Sequence, residues 1–162
     1  MKQKCKHPTC TNTVPYRTKY CIEHQTNQAT VQKFRPEEHK FYNTSKWKAL
    51  SKKIRTKYPI CEKCQKQLST IADHIYEIRY PNGKKYSLRE NNLMAVCHGC
   101  HNEKTKQIAK TIRVIKDDEG NDEIEVTSRT FQFLKQYATR TEQLDLIEKI
   151  QLEEEERNQR KE

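Results

Sequence analysis

The chain has 162 residues, of which 33% are hydrophobic and 33% are charged, so it can hold one ordinary domain with small appendages but not two large domains. Its formal net charge of +10 favours a polyanion such as nucleic acid as the partner over a small neutral substrate. No apolar run in the sequence approaches the length of a signal peptide or a membrane span. We therefore expect a cytoplasmic protein that does not bind membranes.

The N-terminal segment, residues 1–25, contains four side chains that can bind zinc, namely Cys5, Cys10, Cys21 and His24. They form a C-x4-C pair and a C-x2-H pair, and thiolate and imidazole ligands in two close pairs are typical of a tetrahedral zinc site. His7 could replace one of these ligands, and three unpaired thiols are the alternative interpretation. We predict an N-terminal zinc-binding segment.

The next stretch, residues 26–41, is rich in Gln, Asn and Thr and then becomes charged. It shows no sustained hydrophobic periodicity, which indicates neither a buried helix nor a buried strand. We therefore predict that it is a linker.

A basic amphipathic helix is predicted to begin near residues 43–45, where Asn, Thr and Ser are N-cap candidates, and to end before Pro59. Its predicted apolar face consists of Trp47, Leu50, Ile54 and Tyr58, which follow one another at helical spacing. No acidic residue interrupts the sequence from 40 to 60, so we expect the opposite face to contact phosphate groups, with simple solvation as the alternative. The residues of this face predicted to bind DNA are Lys46, Lys48, Lys52, Lys53 and Arg55.

Two C-x2-C pairs dominate the middle of the chain. Cys61 and Cys64 form the first pair, and Cys97 and Cys100 form the second after 32 intervening residues. Each pair presents two thiolates from one tight turn, and four soft ligands in a tetrahedron are the set that zinc prefers. Because four thiolates leave no coordination position for water, we predict a structural zinc ion rather than a catalytic one, with a redox role as the alternative.

The segment between the cysteine pairs carries the residues suited to catalysis. Asp73 and His74 lie in a short apolar run, and Asn92 precedes a second one at residues 93–96, so we predict two short strands. Alternation along a strand sends Asp73 and His74 to opposite faces. His101 directly follows the last cysteine and is predicted to open a helix with Ile108 on its buried side.

Residues 111–162 are predicted to form a hairpin followed by one or two helices. Two β-prone runs flank a polar stretch that contains Gly120. Apolar residues then repeat at helical spacing from Phe131 to Ile150. The last, charged helix could dock a partner protein, and a solvated terminal helix is the alternative.

Three separated elements of the sequence together resemble the HNH endonuclease motif, in its phage and prophage branch with knuckle cysteines. These elements are Asp73-His74, Asn92-Leu93 and Cys97-x-x-Cys100-His101-Asn102-x-Lys104. The resemblance implies a ββα-metal fold, in which two antiparallel strands and a helix surround one catalytic divalent ion. We therefore predict a small α+β protein with a zinc-stabilised ββα-metal core of the HNH, or His-Me finger, type. The nuclease domain would span residues 42–110, with helical flanks and a C-terminal hairpin and helical extension over residues 111–162.

The resemblance also implies a role for each matching residue. Asp73 and His101 would hold Mg²⁺ or another divalent ion, His74 would take a proton from the attacking water, and Asn92 would hold the loop that orients His74. Apart from the resemblance, we expect Lys104 to contact phosphate, with a solvated helix lysine as the alternative. The expected activity is hydrolysis of DNA phosphodiester bonds, in the cytoplasm of the bacterial host of a phage or prophage. A non-catalytic zinc-bound DNA-binding protein and an accessory factor of phage packaging proteins are the alternatives.

Overall fold

The computed structural model describes residues 2–6, 9–16, 18–21, 36–116 and 119–159. The chain divides into two compact units, Met1–Phe41 and Tyr42–Glu162. No helix in the described part of the chain is both long and apolar enough to cross a membrane. Each unit has its own small set of strands and its own cysteine cluster.

The first unit contains one antiparallel pair of strands, β1 (Lys2–Lys4) and β2 (Thr13–Pro15). A helix, α1 (Pro36–Tyr42), follows, and its first six residues correct part of the predicted linker at residues 26–41. Proline suits the first position of a helix because its fixed φ is helical and its missing N–H would have no partner there. Residues 26–35 lie outside the described part of the chain.

The second unit begins with the predicted basic helix, α2 (Ser45–Lys57). Thr44 is the N-cap, and its hydroxyl oxygen accepts a hydrogen bond from the backbone N–H of Trp47 at 3.3 Å. Trp47 and Ile54 are buried, which confirms the apolar face. Tyr58 leaves the helical conformation because the residue before a proline is driven out of it.

The predicted strands form a two-stranded antiparallel ribbon, β3 (Ile71–His74) and β4 (Leu93–Val96). Asp73 lies opposite Met94, and His74 lies opposite Leu93. All four residues of β4 are fully buried, so both faces of the ribbon are covered. Helix α2 contacts both strands, and the C-terminal helices pack on the face that carries Met94.

The connection between the strands contains a short helix, α3 (Gly83–Tyr86), and a 3-10 turn at Glu90–Asn92. Helix α4 (His98–Ile108) follows β4. It begins three residues before the predicted start at His101, because the backbone N–H of His101 already donates to the carbonyl oxygen of Cys97 at 3.0 Å. The second cysteine pair is therefore the first turn of the helix, and β3, β4 and α4 form a ββα unit.

The last third of the chain forms a hairpin, β5 (Arg113–Lys116) and β6 (Asp122–Glu125), and two helices, α5 (Ser128–Tyr137) and α6 (Thr141–Gln159). The predicted hairpin is confirmed. Of the predicted one or two helices, two are observed. Together with the ββα unit this gives a small α+β fold, as predicted.

The C-terminal helices belong to the same core as the strands. The buried cluster that contains Met94, Val96 and Ile108 also includes six residues of α5 and α6, namely Phe131, Leu134, Tyr137, Leu146, Ile147 and Ile150. Residues 111–162 are thus not merely attached to the ββα unit. They cover one face of its strands.

We predict that Leu134→Ala destabilises the second unit by about 2–5 kcal/mol, because Leu134 is fully buried and alanine would leave a cavity beneath the strands. Thermal and urea unfolding followed by circular dichroism would measure the loss. Leu152→Ala, at a side chain that is 61% exposed on α6, is the matched control and should change the stability by no more than about 0.5 kcal/mol. Equal stability of the two variants would contradict the assigned core.

Candidate active site

The four central cysteines come together at the end of the β3–β4 ribbon. The sulfur atoms of Cys61, Cys64, Cys97 and Cys100 all lie within 4.8 Å of one another, and Cys64 and Cys97 are 4.0 Å apart. Gln65 allows the first pair to turn tightly, with a φ of 54° and a backbone N–H that donates to the carbonyl oxygen of Cys61. This group is a donor set that could hold a tetrahedral metal ion.

The charges within this cluster also suit a cation. Backbone N–H groups of Lys66 and Gln67 lower the pKa of the Cys64 thiol to about 6, so this sulfur is ready to bind as a thiolate. Burial, together with the neighbouring sulfurs, raises the pKa of the Cys100 thiol. Four thiolates in so small a space repel one another, and a bound cation would relieve that repulsion.

The N-terminal unit contains a second, smaller cluster of thiols. The sulfur atoms of Cys5, Cys10 and Cys21 lie within 4.8 Å of one another, and those of Cys10 and Cys21 are 3.7 Å apart. His24, predicted as the fourth ligand, and its alternative His7 lie outside the described residues. The structure therefore brings together three of the four predicted donors.

The Asp73 side chain, on β3, faces His101 on α4. Oδ1 of Asp73 lies 3.1 Å from Nδ1 of His101, and the Asp73 side chain is buried while the His101 side chain is 34% exposed. Two atoms bound about 2.1 Å from one octahedral cation are about 3.0 Å apart, so this pair has the spacing of two adjacent metal ligands. The pair lies where solvent or a substrate can reach it from the His101 side.

Lys104 lies one turn after His101, and its ammonium group is surrounded by hydrogen-bond acceptors. Its Nζ lies 3.0 Å from Oδ2 of Asp73 and 2.9 Å from Oε1 of Glu77, and it donates to the carbonyl oxygen of His74. The side chain is completely buried. This burial contradicts the prediction that Lys104 contacts DNA, since its charge is already matched inside the protein.

The ion pairs determine the charge state of this group. Burial disfavours the ionised Asp73 carboxyl, but the Lys104 ammonium and the hydrogen bond from His101 outweigh it and hold the pKa of Asp73 below its usual range. Burial likewise acts against the Lys104 ammonium, and the charges of Asp73 and Glu77 reverse the effect and raise the pKa of Lys104. Both groups are therefore ionised at neutral pH.

Two residues of this cluster were not found from the sequence. Glu77 follows β3 and supplies one carboxylate to Lys104. Tyr137, at the end of α5, directs its hydroxyl group at Oδ2 of Asp73 over 3.3 Å. In the sequence Tyr137 is one apolar position of an amphipathic helix 64 residues away, and no local pattern marks it as a site residue.

His74 occupies the opposite face of β3 from Asp73, as the alternation of a strand predicts. Its Nε2 lies 2.8 Å from the carbonyl oxygen of Ser87, and its ring stacks on Trp47 of α2 with centroids 4.7 Å apart. Burial lowers the pKa of His74. The imidazole is therefore neutral near pH 7, in an orientation held from both sides.

Asn92 fastens the loop that follows His74. Its side-chain oxygen accepts from the N–H of Tyr76 at 2.9 Å, and its amide nitrogen donates to the carbonyl oxygens of Tyr76 and Tyr86 at 2.9 and 3.2 Å. Gly83 packs against the same loop so closely that a Cβ would lie 2.2 Å from the carbonyl oxygen of Glu77. A glycine is required there, and the Asn92 hydrogen bonds and this close approach together hold the two ends of the loop against each other.

The five basic side chains of α2 that were predicted to bind DNA divide into two groups. Lys53 is paired with Glu90, and Arg55 donates to the carbonyl oxygen of Ser51 at 3.2 Å. Three others, Lys46, Lys48 and Lys52, are exposed, and no carboxylate among the described residues pairs with them. These three charged side chains can therefore contact a binding partner. They belong to the same helix as Trp47.

Known proteins resemble parts of this chain. The Zorya protein ZorE of Escherichia coli is 39% identical over 56 residues, which make up 34% of this chain and only 15% of the length of that relative. The HNH endonuclease of the deep-sea thermophilic bacteriophage GVE2, whose crystal structure contains a manganese ion, is 24% identical, with a TM-score of 0.40. That match covers 56% of this chain and 96% of the phage chain.

Two family models match the chain. Residues 1–53 match a family described as a domain of unknown function (DUF8602). Residues 61–107, which include both central cysteine pairs, β3, β4 and almost all of α4, match the HNH endonuclease family. This match agrees with the observed ββα unit and with the motif found in the sequence. The HNH endonuclease family model therefore matches the part of this chain that contains the ββα unit, residues 61–107.

Proposed function

We propose that this protein is a metal-dependent endonuclease that hydrolyses phosphodiester bonds of DNA. The observation that carries the proposal is the Asp73–His101 pair, whose Oδ1 and Nδ1 atoms lie 3.1 Å apart, as two adjacent metal ligands would. The neutral, fixed imidazole of His74, the next residue along β3, accompanies this pair. The family match over residues 61–107 supports the nuclease class. A phage or prophage origin, and action in a bacterial cytoplasm, belong to the same proposal.

Oδ1 of Asp73 and Nδ1 of His101 would hold Mg²⁺ or a similar divalent ion next to the scissile phosphate. The bound ion would neutralise charge that develops on the phosphate and stabilise the departing 3′ oxygen. The low pKa of Asp73 keeps its carboxylate ionised for this purpose. Because the His101 side chain is partly exposed, a phosphate would reach the pair from the His101 side.

His74 would act as the general base. With Nε2 protonated and donating to the carbonyl oxygen of Ser87, the lone pair of the ring is on Nδ1. Nδ1 would take a proton from the attacking water, and the Ser87 carbonyl would then stabilise the imidazolium. Asn92 maintains this arrangement by closing the loop after His74. The expected products have 5′ phosphate and 3′ hydroxyl ends.

The two cysteine clusters would bind structural zinc. The Cys61, Cys64, Cys97 and Cys100 sulfurs form a complete tetrahedral set, and the seating of Cys100 determines the position of His101, the next residue. In the N-terminal unit, Cys5, Cys10 and Cys21 would be completed by His24, as proposed from the spacing. Neither ion would take part in hydrolysis, because every ligand position is filled.

The DNA would lie along α2. Lys46, Lys48 and Lys52 present charges without carboxylate partners among the described residues, on the helix whose Trp47 supports His74. Such contacts position the phosphate backbone and carry no sequence preference. Lys53 and Arg55 would add to the positive potential of the helix without contacting the DNA directly, since each already has a partner within the protein.

We expect His74→Ala to lower the rate of nicking of supercoiled plasmid by about 10²–10⁴-fold in the presence of Mg²⁺ or Mn²⁺, because it removes the general base. His98→Ala, at an exposed histidine, is the matched control and should retain wild-type activity. Agarose gels over time and a chelator control would give the rates. Equal nicking by wild type and His74→Ala would refute the assigned base.

We expect Cys61→Ser to unfold the second unit, because zinc binding in small domains contributes roughly 10–16 kcal/mol to folding. Cys21→Ser should remove one equivalent of zinc and leave the second unit folded, since the two clusters lie in different units. Elemental analysis and circular dichroism measure both outcomes. A folded Cys61→Ser protein with the full zinc content would contradict the assignment.

We expect the double variant Lys48→Ala and Lys52→Ala to bind DNA more weakly and with less dependence on salt. Each lost phosphate contact lowers the slope of log K against log salt by about 0.9 for duplex DNA, so two should lower it by about 1.8. Fluorescence anisotropy at several salt concentrations gives the slope. Lys149→Ala, at an exposed lysine of α6, is the control, and an unchanged slope in the double variant would exclude α2 from the interface.

A further inference from the structure

The two oxygens of the Asp73 carboxylate have different surroundings. Oδ1 faces Nδ1 of His101 at 3.1 Å. Oδ2 faces two donors on the buried side, the Lys104 ammonium at 3.0 Å and the Tyr137 hydroxyl at 3.3 Å. Only Oδ1 therefore lies next to a partly exposed partner.

Lys104 fixes more than one carboxylate. An ammonium group has three N–H donors, and the three acceptors around Lys104 are Oδ2 of Asp73, the carbonyl oxygen of His74 and Oε1 of Glu77. Two of these belong to consecutive residues of β3. The same cation thus holds the Asp73 side chain and the backbone of His74 in one position relative to α4.

Tyr137, a residue of α5, contacts both Asp73 and Lys104. Its ring is buried, lies 5.5 Å from Nζ of Lys104 and stacks on Phe133 with centroids 6.1 Å apart. The packing of the ring determines where the hydroxyl points. Tyr137 lies outside residues 61–107, so the part of the chain that matches the family does not contain it.

We propose that Lys104 and Tyr137 are positioning residues that bind Oδ2 of Asp73 and so leave Oδ1, together with Nδ1 of His101, to bind the divalent ion. Asp73 is then a ligand through one oxygen. The inference rests on the proposed function, because it takes Asp73 and His101 as the ligands. Because the ion would have only two protein ligands, its affinity depends strongly on how the Asp73 carboxylate is oriented. Hydrogen-bonding partners of metal ligands generally set this orientation and so influence the affinity.

The test is the affinity of the full, zinc-loaded chain for Mn²⁺, measured from the free Mn²⁺ signal in electron paramagnetic resonance. Tyr137→Phe keeps the buried ring and removes only the hydroxyl, and it should weaken Mn²⁺ binding about tenfold. Lys104→Met is less informative, because Asp73 would remain buried without a cation and the unit would unfold.

Tyr86→Phe is the matched control. The Tyr86 hydroxyl also donates to a carboxylate, that of Glu153 on α6, and it makes no contact with Asp73, Lys104 or His101 in the described structure. This variant should bind Mn²⁺ as the wild type does. Equal weakening in both variants would assign the effect to general loosening of the fold and overturn the proposal.

A second readout separates metal binding from catalysis. In Tyr137→Phe the Mn²⁺ concentration for half-maximal nicking should rise by the same factor as the dissociation constant, while the rate at saturating Mn²⁺ stays within about threefold of wild type. A Tyr137→Phe protein that binds Mn²⁺ as tightly as an active wild type overturns the positioning role alone. A wild type that binds Mn²⁺ but does not nick DNA overturns the proposed nuclease function alone. A wild type that binds no Mn²⁺ overturns the ligand assignment and the inference with it.

Discussion

The arrangement of this site depends on one buried cation. The Lys104 ammonium is shielded from water, so it is stable only with the carboxylates of Asp73 and Glu77 beside it. Because Lys104 follows His101 by about one helical turn, the ion pair with Asp73 also sets His101 against the same carboxylate. Removing either partner would leave an unpaired charge in the interior. The helix α4 and the strand β3 are therefore held in a single register by electrostatics.

The short strand β3 separates two chemical environments. The face with Asp73 meets α4 and α5, where charges are paired, and the face with His74 meets Trp47 of α2. Burial on that side lowers the pKa of His74 and keeps the imidazole neutral. Two consecutive residues thus have opposite electrostatic surroundings, although they are one peptide bond apart. The four cysteine thiols lie together beside the end of β4 and the start of α4, so a metal ion bound there would connect both elements to the segment that precedes β3.

The C-terminal helices are part of this construction. Arg140, between α5 and α6, pairs with the buried Glu62 at 2.9 Å, and Gln143 donates to the carbonyl oxygen of Leu93 at 3.0 Å. Glu62 in turn accepts from the N–H of Ala95 at 2.6 Å. These bonds connect the first cysteine pair, β4 and the helices that bring Tyr137 to Asp73. The ββα unit is therefore completed by residues that follow the region matched to the family.

Local patterns in the sequence determined the cysteine cluster, the strand that carries Asp73 and His74, and the bounds of α2. Cysteine spacing predicted the thiol cluster, two-residue alternation predicted that Asp73 and His74 face opposite ways, and cap and proline signals bounded α2. The burial of Lys104 and the approach of Tyr137 were decided only by the tertiary structure. A lysine in a basic sequence is ordinarily solvated. Only the packing of α4 and α5 on β3 brings together the Lys104 ammonium, the Asp73 carboxylate and the Tyr137 hydroxyl, which are distant along the chain.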